Sequence, residues 1–88
     1  MATLSMFFGI VVIMHSEPGA PHGIPHLHAR FAEYMISIDL DGEVLAGSIP
    51  PKKLALLKAW IILHHDELAA DWELLLRGSK PFRIDPLR

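Results

Sequence analysis

The stretch that decides the fold is His26-Leu27-His28-Ala29-Arg30-Phe31-Ala32-Glu33-Tyr34-Met35-Ile36-Ser37-Ile38-Asp39-Leu40. It alternates twice. In the first half Leu27, Ala29 and Phe31 share one side while His26, His28 and Arg30 share the other. In the second half Tyr34, Ile36, Ile38 and Leu40 face one way, and Met35, Ser37 and Asp39 the opposite way. A period of two marks half-buried strands rather than a helix. A two-residue tip at Ala32-Glu33 pairs Phe31 with Tyr34. Counting back then sets Arg30 opposite Met35, His28 opposite Ser37 and His26 opposite Asp39. A slip by one residue would turn Leu27 and Phe31 to water, so burial supports this register. Ala32 is the awkward residue, because tight hairpin turns favour positive φ, which alanine resists; a longer loop is the alternative.

Working outward, Asp41-Gly42 is a strong hairpin signal and leads into a strand from Glu43 to Ile49. Upstream, Phe7 to Met14 is apolar throughout, with Gly9 near its start, and reads as a strand covered on both faces and added beside the meander. Between them, His15 to Pro25 contains Pro18, Gly19, Pro21, Gly23 and Pro25 and reads as a loop. Downstream, Pro50-Pro51 ends the sheet, and Pro51 suits the first turn of a helix. Lys52 to His65 and Glu67 to Arg77 are helical in composition. Leu54, Leu57 and Ile61 form one stripe, and Trp60, His64, Leu68 and Trp72 recur every four residues. Asp66 is placed to cap a second helix, the favoured reading over one long helix through both segments, and Gly78 to stop it.

The expected architecture is α+β: a four-stranded, mainly antiparallel meander, followed by two C-terminal helices packed on its apolar face. All 88 residues make one domain, with a sheet portion over 6–49, a helical portion over 51–78 and an extended tail over 79–88.

Composition narrows the function. With 51% hydrophobic and 20% charged residues the chain is globular. A domain this small has a thin core, so a small protein partner or a second copy could cover apolar area that one copy leaves open. The net charge of −2 weighs against a dominant phosphate-binding surface, though RNA could be touched at a local basic patch. There is no cysteine, which removes disulfides, thiolate zinc sites and Cys nucleophiles, and makes a reducing cytoplasm the expected location. The apolar run Met6 to Met14 is far shorter than the ~20 residues that span a bilayer. No Lys or Arg precedes it and no Ala-x-Ala site follows, so neither a membrane partner nor a secretory signal is expected.

The deduced register gathers His26, His28, Arg30, Ser37 and Asp39 on the face away from the core. That patch supports three readings. In the first, His26 and His28 aim their imidazoles at one divalent metal, zinc or similar, with Asp39 as carboxylate ligand and His22 from the loop as a fourth. In the second, Asp39 holds one ring nitrogen of His26, the other nitrogen transfers a proton, and Arg30 stabilises a phosphate or oxyanion. Such chemistry suits metal-independent RNA cleavage by His26, His28, Arg30 and Asp39. In the third, these are ordinary polar residues on a solvated or partner-covered sheet face. Trp60 and Trp72 read as core or interface anchors rather than base-stacking platforms and His64 as a satisfied core histidine, while Lys52, Lys53 and Lys58 read as a solvated helix face. No phosphate-loop glycine spacing and no Ser–His–Asp order stands out.

Several blocks together resemble a known family. They are Phe7-Phe8-Gly9-Ile10, Pro25-His26-Leu27-His28-Ala29, Glu33-Tyr34, Ile38-Asp39, Leu45, Gly47 and Pro50, then Trp60, His64, Glu67-Leu68, Trp72 and Pro86-Leu87. The likeness is to the small bacterial proteins of the domain-of-unknown-function family numbered 4160, and Pro-His-x-His-Ala is its most specific element. Within it, His26 and His28 match the motif histidines, and Glu33 and Asp39 its acidic positions. The chain departs in having Ala32 where glycine is usual, and in a longer stretch before Pro25. The resemblance implies no particular reaction. It implies a component of a toxin–antitoxin-like two-gene module, often neighbouring a second family numbered 2442, that works by interaction with a small protein encoded nearby.

Overall fold

The computed structural model describes residues 2–15 and 24–88, so His22 and most of the Pro/Gly-rich loop lie outside the described residues. Five strands precede two helices: β1 Ala2–Phe7, β2 Ile10–Met14, β3 His26–Phe31, β4 Tyr34–Asp39, β5 Val44–Ser48, α1 Pro51–Leu63 and α2 His65–Leu76. The strands form one sheet in the order β1-β2-β3-β4-β5, every neighbouring pair antiparallel. The α+β architecture is as expected, but the sheet has five strands rather than four.

The additional strand, β1, lies mostly ahead of the apolar run and shares only its first residues. Phe7 pairs with Ile10, so Phe8-Gly9 is a hairpin tip and Phe7 to Met14 is not one strand. Phe8 and Gly9 have φ of 48° and 81°, two consecutive left-handed residues of the kind that match the twist of a tight hairpin. An aromatic residue rarely signals such a turn, and the unbroken apolarity around it hides the reversal.

The β3–β4 register runs from Phe31↔Tyr34 to His26↔Asp39 without a break. Ala32 takes the positive φ that the two-residue tip demands, 52°. At the β4–β5 turn, the Asp39 Oδ1 accepts hydrogen bonds from the backbone amides of Asp41 at 2.8 Å and Glu43 at 2.9 Å. Glu43 therefore belongs to the turn, and the strand starts at Val44. A bulge separates the Ser37↔Ala46 and Ile38↔Val44 pairs. Gly47 beside it has φ of 76°, and a Cβ there would lie 2.2 Å from the Met35 carbonyl oxygen, so only glycine fits.

One face of the sheet carries the core. Val12, Ala29 and Ile36 are buried across β2, β3 and β4, and Ile10, Met14, Leu27 and Ile38 extend the same face. The helices cover it with Leu57, Trp60, Ile61, Leu68 and Trp72. The Phe7 and Trp60 rings lie 5.3 Å apart. Lys53 ties α1 to both hairpin tips: its ammonium donates to the Phe8 carbonyl at 2.7 Å and sits 4.7 Å from the Phe31 ring centre.

His64, not Asp66, joins the helices. Its amide ends α1 on the Trp60 carbonyl, its own carbonyl accepts the Leu68 amide, and its ring Nδ1 lies 2.6 Å from the Glu67 carboxylate. Asp66 and Glu67 occupy the first turn of α2, where negative charge suits the helix dipole. The tail returns along β1. The Ile84 amide donates to the Leu4 carbonyl at 2.8 Å, the Trp60 indole to the Asp85 carbonyl at 2.8 Å, and the Phe82 amide to Asp71 Oδ1 at 2.9 Å. Among the described residues no helix is long and apolar enough to cross a membrane.

Candidate functional site

The pleat places His26, His28, Arg30, Ser37 and Asp39 at positions that alternate with the buried Leu27, Ala29, Ile36 and Ile38. The side chains nevertheless have separate engagements. His26, the first residue of β3, directs Nδ1 at the Ile24 carbonyl, 2.9 Å away. A carbonyl only accepts, so Nδ1 carries the proton and the neutral ring keeps its lone pair on Nε2. The ring lies edge-on to His28 with centres 5.3 Å apart, and tilted against Trp72 of α2, also at 5.3 Å.

His28 brings in a residue that the sequence left in the loop. β2 pairs with β3 through Ile13↔His28, so chain alternation puts His15 on the same side as Ile13. The His15 and His28 rings stack with centres 4.6 Å apart and planes within 10°. Three imidazoles therefore gather at one end of the sheet. The spacing that would have revealed His15 is the β2–β3 register, and the intervening loop leaves that register open at the level of sequence.

Asp39 stands opposite His26 on the ladder, but the carboxylate oxygen that is hydrogen-bonded serves the β4–β5 turn through Asp41 and Glu43. Arg30 is exposed at the middle of the face, between Val11 of β2 and Met35 of β4. Among the described residues no group of three or more His, Asp and Glu side chains is arranged to hold a metal ion. His22 falls outside those residues.

Two clefts lie nearby. One of about 200 Å³ is lined by Ile24, Pro25, Asp39, Leu40, Asp41, His65 and Ala69, where α2 meets the strand ends. The other, about 290 Å³, is lined by Ile62 to Glu67 at the helix junction. Neither is lined by His26, His28 or Arg30. His65 lies between carboxylates, 3.8 Å from Asp41 and 3.6 Å from Asp66. All three residues are well exposed, so these pairs add little stability.

Elsewhere a carboxylate is buried. Asp71 on α2 is 3% exposed, and only its Oδ1 has a hydrogen-bond partner, the Phe82 amide. Burial pushes its carboxyl above the ordinary value of 3.8, and Glu67 adds to the rise, while the Phe82 amide opposes it.

An antiparallel meander with one face under two helices, and with Met6, Arg30 and Met35 exposed on the other among the described residues, defines a small two-layer α+β protein. The chain belongs to the family described as Domain of unknown function (DUF4160), whose model matches residues 9–73. That span covers β2 to most of α2, including both motif histidines. No curated protein and no solved structure matches the chain.

Proposed function

We propose that this chain is a small cytoplasmic interaction protein, one component of a toxin–antitoxin-like two-gene module, which works by binding the small protein encoded beside it. The observation that carries this reading is the exposed apolar side chains that the described residues place on the sheet face away from the helices. Met6 on β1 is 58% exposed and Met35 on β4 48% exposed, and Ala46 of β5 is exposed on the same face. Met side chains adapt to a partner's shape, and exposed apolar groups clustered on one face favour a binding surface over a merely solvated one. Co-expression with the neighbouring gene product, followed by capture and size-exclusion chromatography, should recover a stable complex. Two products that elute apart would count against the reading.

A second reading rests on the histidine group, with His15 now beside His26 and His28. A histidine-dependent ribonuclease, or an enzyme holding zinc or a similar divalent ion, would use the Nε2 of His26 on the side that the Ile24 carbonyl leaves free. Under that reading His26→Ala and His28→Ala each abolish RNA cleavage or growth inhibition while the far-ultraviolet circular dichroism spectrum is kept. Elemental analysis of untagged protein separates its two forms, because a metalloenzyme carries near-stoichiometric ion. Activity that persists in both variants removes this alternative.

A further inference from the structure

Arg30 is the only Lys or Arg in residues 1–48. It sits on β3, the central strand of five, in the cross-strand row Met6–Val11–Arg30–Met35–Ser48. Its guanidinium is exposed and makes no ion pair or hydrogen bond to any described residue. The one acidic residue on the same face of β3 and β4 is Asp39, at the far end of the ladder and engaged in its turn.

From this placement we infer that the sheet face around Arg30, exposed among the described residues, is a docking site for a different protein, one that presents a carboxylate among apolar side chains, and that Arg30 is its anchor. This rests on the interaction reading above and gives that partner its chemistry. A guanidinium forks onto a carboxylate through two parallel hydrogen bonds. Excluding water around that pair takes apolar contacts beside it, which Val11 and Met35, the cross-strand neighbours of Arg30, supply, with Met6 one strand further out.

The same placement argues against two other occupants. A second copy meeting this one face to face across a two-fold axis brings Arg30 towards its own mate, and like charges at the centre of an interface are costly. A nucleic acid would need several cations along its backbone, whereas this row holds one cation between two methionines.

The test measures affinity for the neighbouring gene product by calorimetric titration, with Arg30→Gln, Arg30→Glu, Arg30→Lys and Met35→Ser, and with Phe82→Ser as a control. Phe82 is 73% exposed on the tail and lies outside the row. Arg30→Glu is expected to weaken binding ~100-fold and Arg30→Gln nearly as much, as for a central charged anchor. Arg30→Lys should lose roughly tenfold, because charge is kept but the planar fork is not. Met35→Ser should weaken binding and Phe82→Ser should not.

A wild-type complex that Arg30→Glu leaves at full affinity overturns this inference alone. No wild-type complex at all overturns the interaction reading, and the inference with it. A face-to-face homodimer abolished by Met35→Ser, or a short single-stranded RNA bound by wild type and released by Arg30→Gln, would replace the proposed occupant and so also overturn it.

Discussion

Replacing Ala32 by glycine tests whether the central hairpin is closed against the preference of its own tip residue. Ala32 holds φ of 52° so that Phe31 can pair with Tyr34. An L-residue in the left-handed region costs roughly 1–2 kcal/mol, because Cβ crowds the following carbonyl. Glycine escapes that cost, but it loosens the unfolded chain and so gives back roughly 0.4–1 kcal/mol. Ala32 is exposed, so removing its methyl group forfeits little packing. The balance leaves Ala32→Gly more stable by about 0.5–1 kcal/mol. In a domain of this size that is a rise in Tm of roughly 3–6 °C.

Calorimetry at neutral pH, with urea titration to confirm an unchanged m-value, reads the effect directly. The tip of the first hairpin supplies the opposite sign. Gly9 has φ of 81°, and a Cβ there would meet Phe31 Cε1 at 3.0 Å. Gly9→Ala should therefore lose about 1–2 kcal/mol. An Ala32→Gly protein that melts at or below the wild-type temperature would refute the reasoning.

Three further outcomes follow from the same coordinates. Gly47→Ala should destabilise by about 3 kcal/mol or more, since its Cβ would collide with backbone rather than with a movable side chain; chemical denaturation with a near-wild-type midpoint would contradict this. Asp39→Ala should lose about 1–3 kcal/mol through the orphaned Asp41 and Glu43 amides, while Asp39→Asn, which keeps an acceptor oxygen, should recover much of it; equal losses in the two variants, read from urea midpoints, would remove the turn role. Asp71 binds its proton more tightly folded than unfolded, so its contribution to stability is complete below the ordinary value of 3.8 and is lost as pH rises through the raised value. Asp71→Asn should thus gain on wild type as pH climbs from about 4 to about 7, and a pH-independent difference in Tm would refute it.

The central hairpin was legible because alternation and burial speak together: Leu27, Ala29 and Phe31 can reach the core in only one register. The helices were legible from the four-residue recurrence of Trp60, His64, Leu68 and Trp72. Their junction was misread because Asp66 has the chemistry of a cap, whereas the fold breaks at His64, one helical position before His65. The first hairpin escaped because a bulge between Thr3 and Ser5 breaks the alternation of β1, while β2 is apolar throughout and shows none. On β2 the outward-facing Ile13 is buried as well as the inward-facing Val12 and Met14. The candidate site was legible as a set of positions and not as a set of contacts. Pairing opposite His26 says where Asp39 lies on the ladder, but backbone amides two and four residues ahead compete for its carboxylate. Local partners are cheaper in chain entropy than a cross-strand imidazole.

How this domain treats its sheet edges bears on where a partner can bind. Exposed strand edges invite pairing with another chain unless something blunts them. On β1 the tail does so, with Ile84 hydrogen-bonded to Leu4 and anchored through Asp71 and Trp60. On β5 no chain covers the edge among the described residues. There the bulge next to Val44 and the left-handed Gly47 break the straight ladder that an added strand would need. Both edges are therefore poor templates for strand addition, and the core face is occupied by helices. What is left at the centre of the molecule is the outer face around Arg30. A partner that docks there makes side-chain contacts rather than main-chain hydrogen bonds, so its recognition should depend on the side chains of Arg30 and Met35.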